Sequence, residues 1–271
     1  MLTPSEIERK LDKILLKVAK PGRYVGGEMN IVIKDWAQIQ TKVALVFPDI
    51  YDIGISNVGI KILYDQVNQR ADALAERAYA PWRDMEDQLR ANGIPLYSLE
   101  TYHPLADFDL IGFSLPYETL YTNTLNILDL AGIPVRADER DDRHPIIIAG
   151  GHSTMNPEPM SAFIDAFVIG EGEEVIHDII NVIQKSKLSL RATRSAGSEA
   201  ISPNMRGDYF GANARNDILK ELAHIPGVYV PRFYQPHYLD DDTISHMETL
   251  LEGIANPVVT RLVPQLPPPP T

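Results

Sequence analysis

The chain of 271 residues contains no cysteine. Disulfides, cysteine-ligated zinc, iron–sulfur clusters and thiol nucleophiles are therefore excluded within it. It is also short of positive charge: 25 Lys and Arg face 37 Asp and Glu, a formal net charge of −12. That balance argues against a nucleic-acid partner, which needs a basic surface to neutralise phosphates. No apolar run approaches the roughly 20 residues that a membrane helix requires, and the opening MLTPSEIERKLDK is too charged for a secretory leader. These absences predict a cytoplasmic protein with no membrane contact. The phosphate loop GxxxxGK[ST], the nucleophile elbow GxSxG and the zinc motif HExxH are missing as well, which removes three common enzyme classes.

What is present is an alternation of two patterns. Short apolar runs closed by Gly, Pro or Ser lie at 43–47, 96–99, 110–115, 146–149 and 166–169. Amphipathic stretches between and after them, at 58–69, 84–92, 118–131, 159–163 and 173–185, have helical spacing. Strands that are apolar on both faces belong to parallel sheets covered on both sides, and right-handed crossovers then give a doubly wound fold. The expected fold is thus α/β, a mostly parallel five-stranded sheet of the flavodoxin-like, cobalamin-binding type with order 2-1-3-4-5. An N-terminal helix over 3–19, with capping-box spacing between Thr3 and Glu6, precedes it.

The expected organisation is an N-terminal helix and connector (1–40), the α/β domain (41–186), a flexible insertion (187–214), an irregular C-terminal α/β extension (215–263) and a proline-rich linker (264–271). The insertion is small, polar and aperiodic. A basic patch there would draw on Lys185, Lys187, Arg191, Arg194, Arg206 and Arg215. The extension is expected to contain a short helix over 217–223 and a strand over 228–234. The terminal PQLPPPPT reads as a semi-rigid spacer toward a further domain.

In open parallel sheets ligands bind beyond the carboxyl ends of the strands. The candidate binding residues are therefore those that follow each run: Asp49, Tyr51, Asp52, Gly54 and Ser56 after the first, Ser114 after the third, Gly150, Gly151 and His152 after the fourth, and Gly170, Glu171 and Gly172 after the fifth. Gly150 and Gly151 read equally well as a tight turn. Gly170-Glu171-Gly172 is only part of a dinucleotide fingerprint, and glutamates there would repel a pyrophosphate. His237 and His246 flank Asp240-Asp241-Asp242, which reads as a solvated acidic loop rather than a metal site. No metal ligand and no catalytic residue is assigned.

These post-strand residues resemble a known set. Cobalamin-binding domains of the flavodoxin-like type carry D-x-H-x-x-G after the first strand, a Ser near the end of the third and Gly-Gly after the fourth. Asp49 to Gly54, Ser114 and Gly150-Gly151 match, with Tyr51 in the place of the cobalt-ligating His. The chain is more closely similar to the N-terminal region of a family of cobalamin-binding-type radical S-adenosylmethionine proteins. The segments that carry the likeness are KPGRYVGGE (20–28), FPDIYDIGISNVGIKILYD (47–65), APWRDME (80–86), DLIGFSLPYE (109–118), IIIAGGHSTMNPEPM (146–160), DAFVIGEGEE (165–174) and IPGVYVP (225–231).

The resemblance implies an accessory domain that binds a corrinoid or presents substrate to a cluster-bearing barrel, acting in cis or in trans. It departs from the family pattern twice. Tyr51, a phenol with an ordinary pKa near 10, is a poor cobalt ligand at neutral pH. The CxxxCxxC motif is absent, so a [4Fe–4S] cluster and S-adenosylmethionine would belong to a downstream domain and this chain would not be catalytic alone. Two alternatives stay open: a non-catalytic interaction domain with a vestigial cofactor site, docking through the N-terminal helix and the loop of Trp82, and a stand-alone enzyme using Asp49, Asp52 and Glu118.

Overall fold

The computed structural model describes residues 2–195 and 214–267. Arg206, the bulk of the expected insertion and the end of the proline-rich segment lie outside the described residues, as do the side chains of Arg191 and Arg194. Five parallel strands form the centre: β1 (Thr41–Phe47), β2 (Ala73–Tyr79), β3 (Leu110–Ser114), β4 (Ile146–Gly150) and β5 (Ala166–Val168). A sixth, β6 (Val228–Tyr229), joins antiparallel to β5, and the sheet order is β2-β1-β3-β4-β5-β6. All seven residues of β2 and six of the seven in β1 are buried, the burial expected of a sheet covered on both faces. A separate antiparallel pair, β7 (Tyr234–Tyr238) and β8 (Ile244–Thr249), follows.

The helices begin where local chemistry lets them. In α1 (Pro4–Ile14) the Thr3 hydroxyl and the Glu6 carboxylate close a reciprocal capping box, and Ile7, Leu11 and Ile14 are buried. The expected helix over 3–19 ends at Ile14 and tightens into a single 3-10 turn over Leu15–Lys17. After the short α2 (Tyr51–Gly54), the Asn57 side chain accepts the Ile60 amide to start α3 (Val58–Asn68). Gly93 closes α4 (Arg83–Asn92) in the left-handed region at φ 59°. The amphipathic stretch at 118–131 is a 3-10 turn followed by α5 (Tyr121–Leu130). The next helix, α6 (Val175–Ser195), runs through the expected domain boundary at 187. The one after it, α7 (Ala214–Ala223), begins three residues before the expected position. Among the described residues no helix is long and apolar enough to cross a membrane.

Two strand expectations are corrected. The run 96–99 is not a strand; its only pairing is an isolated bridge between Tyr97 and Pro104. The second strand is β2, whose sequence ALAERAY hides behind two charges. Both charges are buried because the segment at 96–101 supplies their partners. The Glu76 carboxylate accepts from Ser98 Oγ at 2.5 Å and Thr101 Oγ1 at 2.7 Å. The Arg77 guanidinium donates Nε–H to Glu100 at 2.7 Å and lies 4.6 Å from the Tyr64 ring centroid. The expected strand over 228–234 also divides: β6 stops at Tyr229, a 3-10 turn over Pro231–Phe233 intervenes, and Tyr234 opens the second sheet.

A buried ionic cluster ties α7 to the amino ends of β4 and β5. Asp165 Oδ2 accepts the Ile147 amide at 2.7 Å and the Arg215 guanidinium at 2.5 Å, while Arg140 Nη2 stands 3.5 Å from Oδ1. Arg215, expected on a basic surface, is therefore a core residue, and Lys187 pairs with Asp109 at 2.6 Å. Burial pulls the Arg140 guanidinium down to about 10, against the attraction of Asp165 and with the repulsion of Arg215.

Two outcomes follow from these buried charges. Replacing Asp165 by Ala leaves two buried guanidinium groups uncompensated, and urea unfolding is expected to show a loss of about 3–5 kcal/mol. The second concerns Glu100, whose carboxyl burial raises to about 7 although Arg77 opposes the shift. The folded chain then holds this proton more tightly than the unfolded chain does, so stability declines as pH rises from the unfolded value of about 4.3 through the folded one. Glu100→Gln is expected to flatten that decline in urea titrations between pH 4.5 and 7.5; an unchanged slope would refute the assignment.

Candidate functional site

The carboxyl ends of the strands open into a cleft of about 240 Å³ between α3 and α6. Its floor is the sheet itself. Gly112 in the middle of β3 presents no side chain between Leu45 and Ile148, where a Cβ would sit 3.5 Å from a Leu45 methyl and 3.7 Å from the Ile148 Cγ1 methylene. On the neighbouring strand Gly150 likewise leaves room, with Val168 Cβ 3.8 Å from the position its own Cβ would take. The walls are aliphatic: Ile60 and Leu63 from α3, and Val175, Ile176 and Ile179 from α6. None of the lining residues is Lys, Arg or His, and two carboxylates, Glu171 and Glu173, line it. Glu173 Oε2 is buried and meets no hydrogen-bond donor.

Six of the twelve residues expected at a ligand line this cleft: Ser114, Gly150, Gly151, Gly170, Glu171 and Gly172. Gly151 holds φ 111° and its Cβ would come within 2.8 Å of the Leu115 backbone, so only glycine makes this turn. The turn is locked by Leu115, whose amide donates to Gly150 at 2.7 Å and whose carbonyl accepts the Ser153 amide and hydroxyl at 3.0 and 2.6 Å.

The other six do not line the cleft. Asp49 accepts the amide of Ile50, and the Ser56 hydroxyl donates to the Ile53 carbonyl. Asp52 is ion-paired with Arg23 and, at 3.1 Å, with Lys20; hydrogen bonds from these cations hold its carboxyl down at about 2. That link fastens the connector KPGR to α2. Tyr51 meets the Tyr79 ring edge-on at 5.4 Å, and burial raises its phenol. Gly54 packs on the same ring, 2.4 Å from where its Cβ would stand. His152 is exposed at the start of a 3-10 turn.

A C-terminal strap completes one side of the rim. Arg261 donates its amide to the Ile169 carbonyl at 2.9 Å and accepts the Glu171 amide at 3.0 Å, forming a parallel bridge at Gly170. Its guanidinium reaches Asp178 on α6 at 2.7 Å and Glu174, just before that helix, at 3.4 Å, and Glu171 accepts the amide of Val263. Gly170, at φ 117°, is where the strap presses closest: a Cβ there would lie 2.1 Å from the Arg261 carbonyl. Sequence reasoning missed Arg261, Gly112 and Glu173. A glycine inside an apolar strand was the available signal for Gly112; a strap contact from 90 residues downstream has none.

A six-stranded, mostly parallel sheet with helices, and with a cleft at the carboxyl edge of its strands, places the chain in the α/β class. The model of the N-terminal region of radical SAM proteins matches residues 59–210, more than half the chain, and the chain belongs to that family. Over 143 residues it is 28% identical to an uncharacterized protein of Methanocaldococcus jannaschii, a match that takes in 51% of this chain and 26% of that relative. The match thus spans about a quarter of that relative's length. No solved structure matches.

Because Gly170 admits the strap, Gly170→Ala is expected to dislodge it. Limited proteolysis should then cut the chain within 255–267 faster than in the parent, and the melting temperature should fall by several degrees, corresponding to about 1–3 kcal/mol. Unchanged cleavage would show that the strap does not depend on this contact.

Proposed function

We propose that this chain is the accessory N-terminal domain of a radical S-adenosylmethionine protein, and that its cleft holds one flat arm of a corrinoid or substrate for presentation to a cluster-bearing barrel. The reading is carried by the glycine-floored cleft: Gly112, Gly150 and Gly151 leave a slot that any larger side chain at Gly112 or Gly150 would fill. Its volume lies below the roughly 300–1,000 Å³ of pockets that enclose a whole drug-sized ligand, which suits an arm of a larger molecule. The nucleotide tail of a corrinoid would enter past Ser114 and Gly150. A bound corrinoid would supply cobalt-centred group-transfer chemistry. The chain's own part would be to orient the molecule, and Tyr51, packed on Tyr79, does not serve as a ligand below the metal.

A second reading has its own support. Ile53, Val58, Trp82, Tyr117 and Met155 are exposed, and each lies in a connection that follows one of β1 to β4. Such apolar groups at one edge suit a protein partner. In this reading the barrel covers that edge with no cofactor between.

Hydroxocobalamin titrated into the purified chain is expected to shift its visible spectrum and co-elute on gel filtration. Gly112→Leu, which fills the slot while leaving the buried charges intact, should weaken retention at least tenfold, about 1.4 kcal/mol. No retention by the parent chain rejects the corrinoid version. Association with a cysteine-bearing barrel in the absence of corrinoid would then favour the docking reading.

A further inference from the structure

The strap and the cleft share one stretch of chain. Gly170, Glu171 and Gly172 line the cleft, and so do Val175, Ile176 and Ile179 from the first turns of α6. The strap grips this stretch at both ends: Arg261 exchanges backbone hydrogen bonds with Ile169 and Glu171, while its guanidinium spans to Glu174 and Asp178. What holds the strap is polar. None of residues 255–267 is buried, and Val259 and Leu262, close on either side of Arg261, are 70% and 73% exposed. Val175, Ile176 and Ile179, by contrast, belong to the buried core. Hydrogen bonds and half-exposed ion pairs are individually weak, and segments with few buried apolar contacts open at the lowest cost in a fold. The strap can therefore leave its seat while the sheet stays folded.

We propose that the strap is a releasable clasp on the cleft: seated, it ties the rim at 170–172 to the first turns of α6, and released, it lets that wall move. The inference rests on the cleft being a binding slot, as proposed above, and adds a conformational control over it. Its direction follows from linkage. A ligand held between the α3 and α6 walls favours the same arrangement of residues 170–179 that the strap needs for its bonds. Filling the cleft and seating the strap thus stabilise one another, each by the same factor. Three residues beyond Arg261 the proline-rich PQLPPPPT begins. Such a segment is semi-rigid, so a pull on it reaches Arg261 rather than being absorbed as slack.

Hydrogen exchange on the whole chain tests the clasp. The Ile176 amide, which donates to Gly172 at 3.1 Å, and its neighbours through Ile179 report on the wall. Arg261→Ala, at a residue that does not line the cleft, is expected to speed exchange over 171–179 by about tenfold and to leave 43–47 and 110–113 as in the parent. Asp178→Asn should act in the same direction, and Arg261→Lys, which keeps a cation for Asp178, should restore most of the protection. Hydroxocobalamin should bind Arg261→Ala about fivefold more weakly than the parent, and should slow proteolysis within 255–267 of the parent. Unchanged exchange over 171–179 overturns the proposal, and so does acceleration spread evenly over the sheet, which marks general destabilisation. Equal retention of hydroxocobalamin by parent and variant overturns it as well, since the strap then has no hold on the cleft. If the parent retains no hydroxocobalamin, the corrinoid reading falls and the exchange result alone decides the clasp.

Discussion

Parallel pairing of five strands governs the rest of this structure. Each strand must return to the same end before the next begins, so the turns after β1 to β5 collect along one edge. Residues from Ser114 to Gly172 thereby meet in one cleft despite their separation in the chain. The opposite edge has a different duty. There Asp165 and its two arginines fasten α7 to the strand starts.

Glycine serves the cleft in two physically distinct ways. At Gly112 and Gly150 the backbone is ordinary, and the missing side chain is what matters, since it leaves space over the sheet. At Gly151 and Gly170 the backbone itself requires glycine, for the turn against Leu115 and for the approach of the strap. Gly170 is thus explained by contact with Arg261 before any ligand is considered. The strap in turn holds Glu171, which accepts the Val263 amide.

Without cysteine this chain holds no cluster of its own. It has exposed apolar side chains after four successive strands and a cleft at their carboxyl edge. Under the proposed function, binding on this scaffold and radical chemistry on a separate barrel would separate two demands: a close-fitting pocket on one side and thiolate ligands for iron on the other.

The sequence alone determined the alternation of strand and helix, four of the five parallel strands, and the turns at which a ligand edge would form. Those features are local: an apolar run, a capping residue or a paired glycine acts through its near neighbours along the chain. Tertiary structure decided the remainder. The strand β2 reads as charged until Ser98, Glu100 and Thr101 fold over it and satisfy Glu76 and Arg77. Asp52 and Tyr51 sit in the expected motif, yet Arg23 and Tyr79, which occupy them, arrive from other segments. The strap at Arg261 depends on contacts made across some 90 residues, and no periodicity along the chain encodes a distance of that kind.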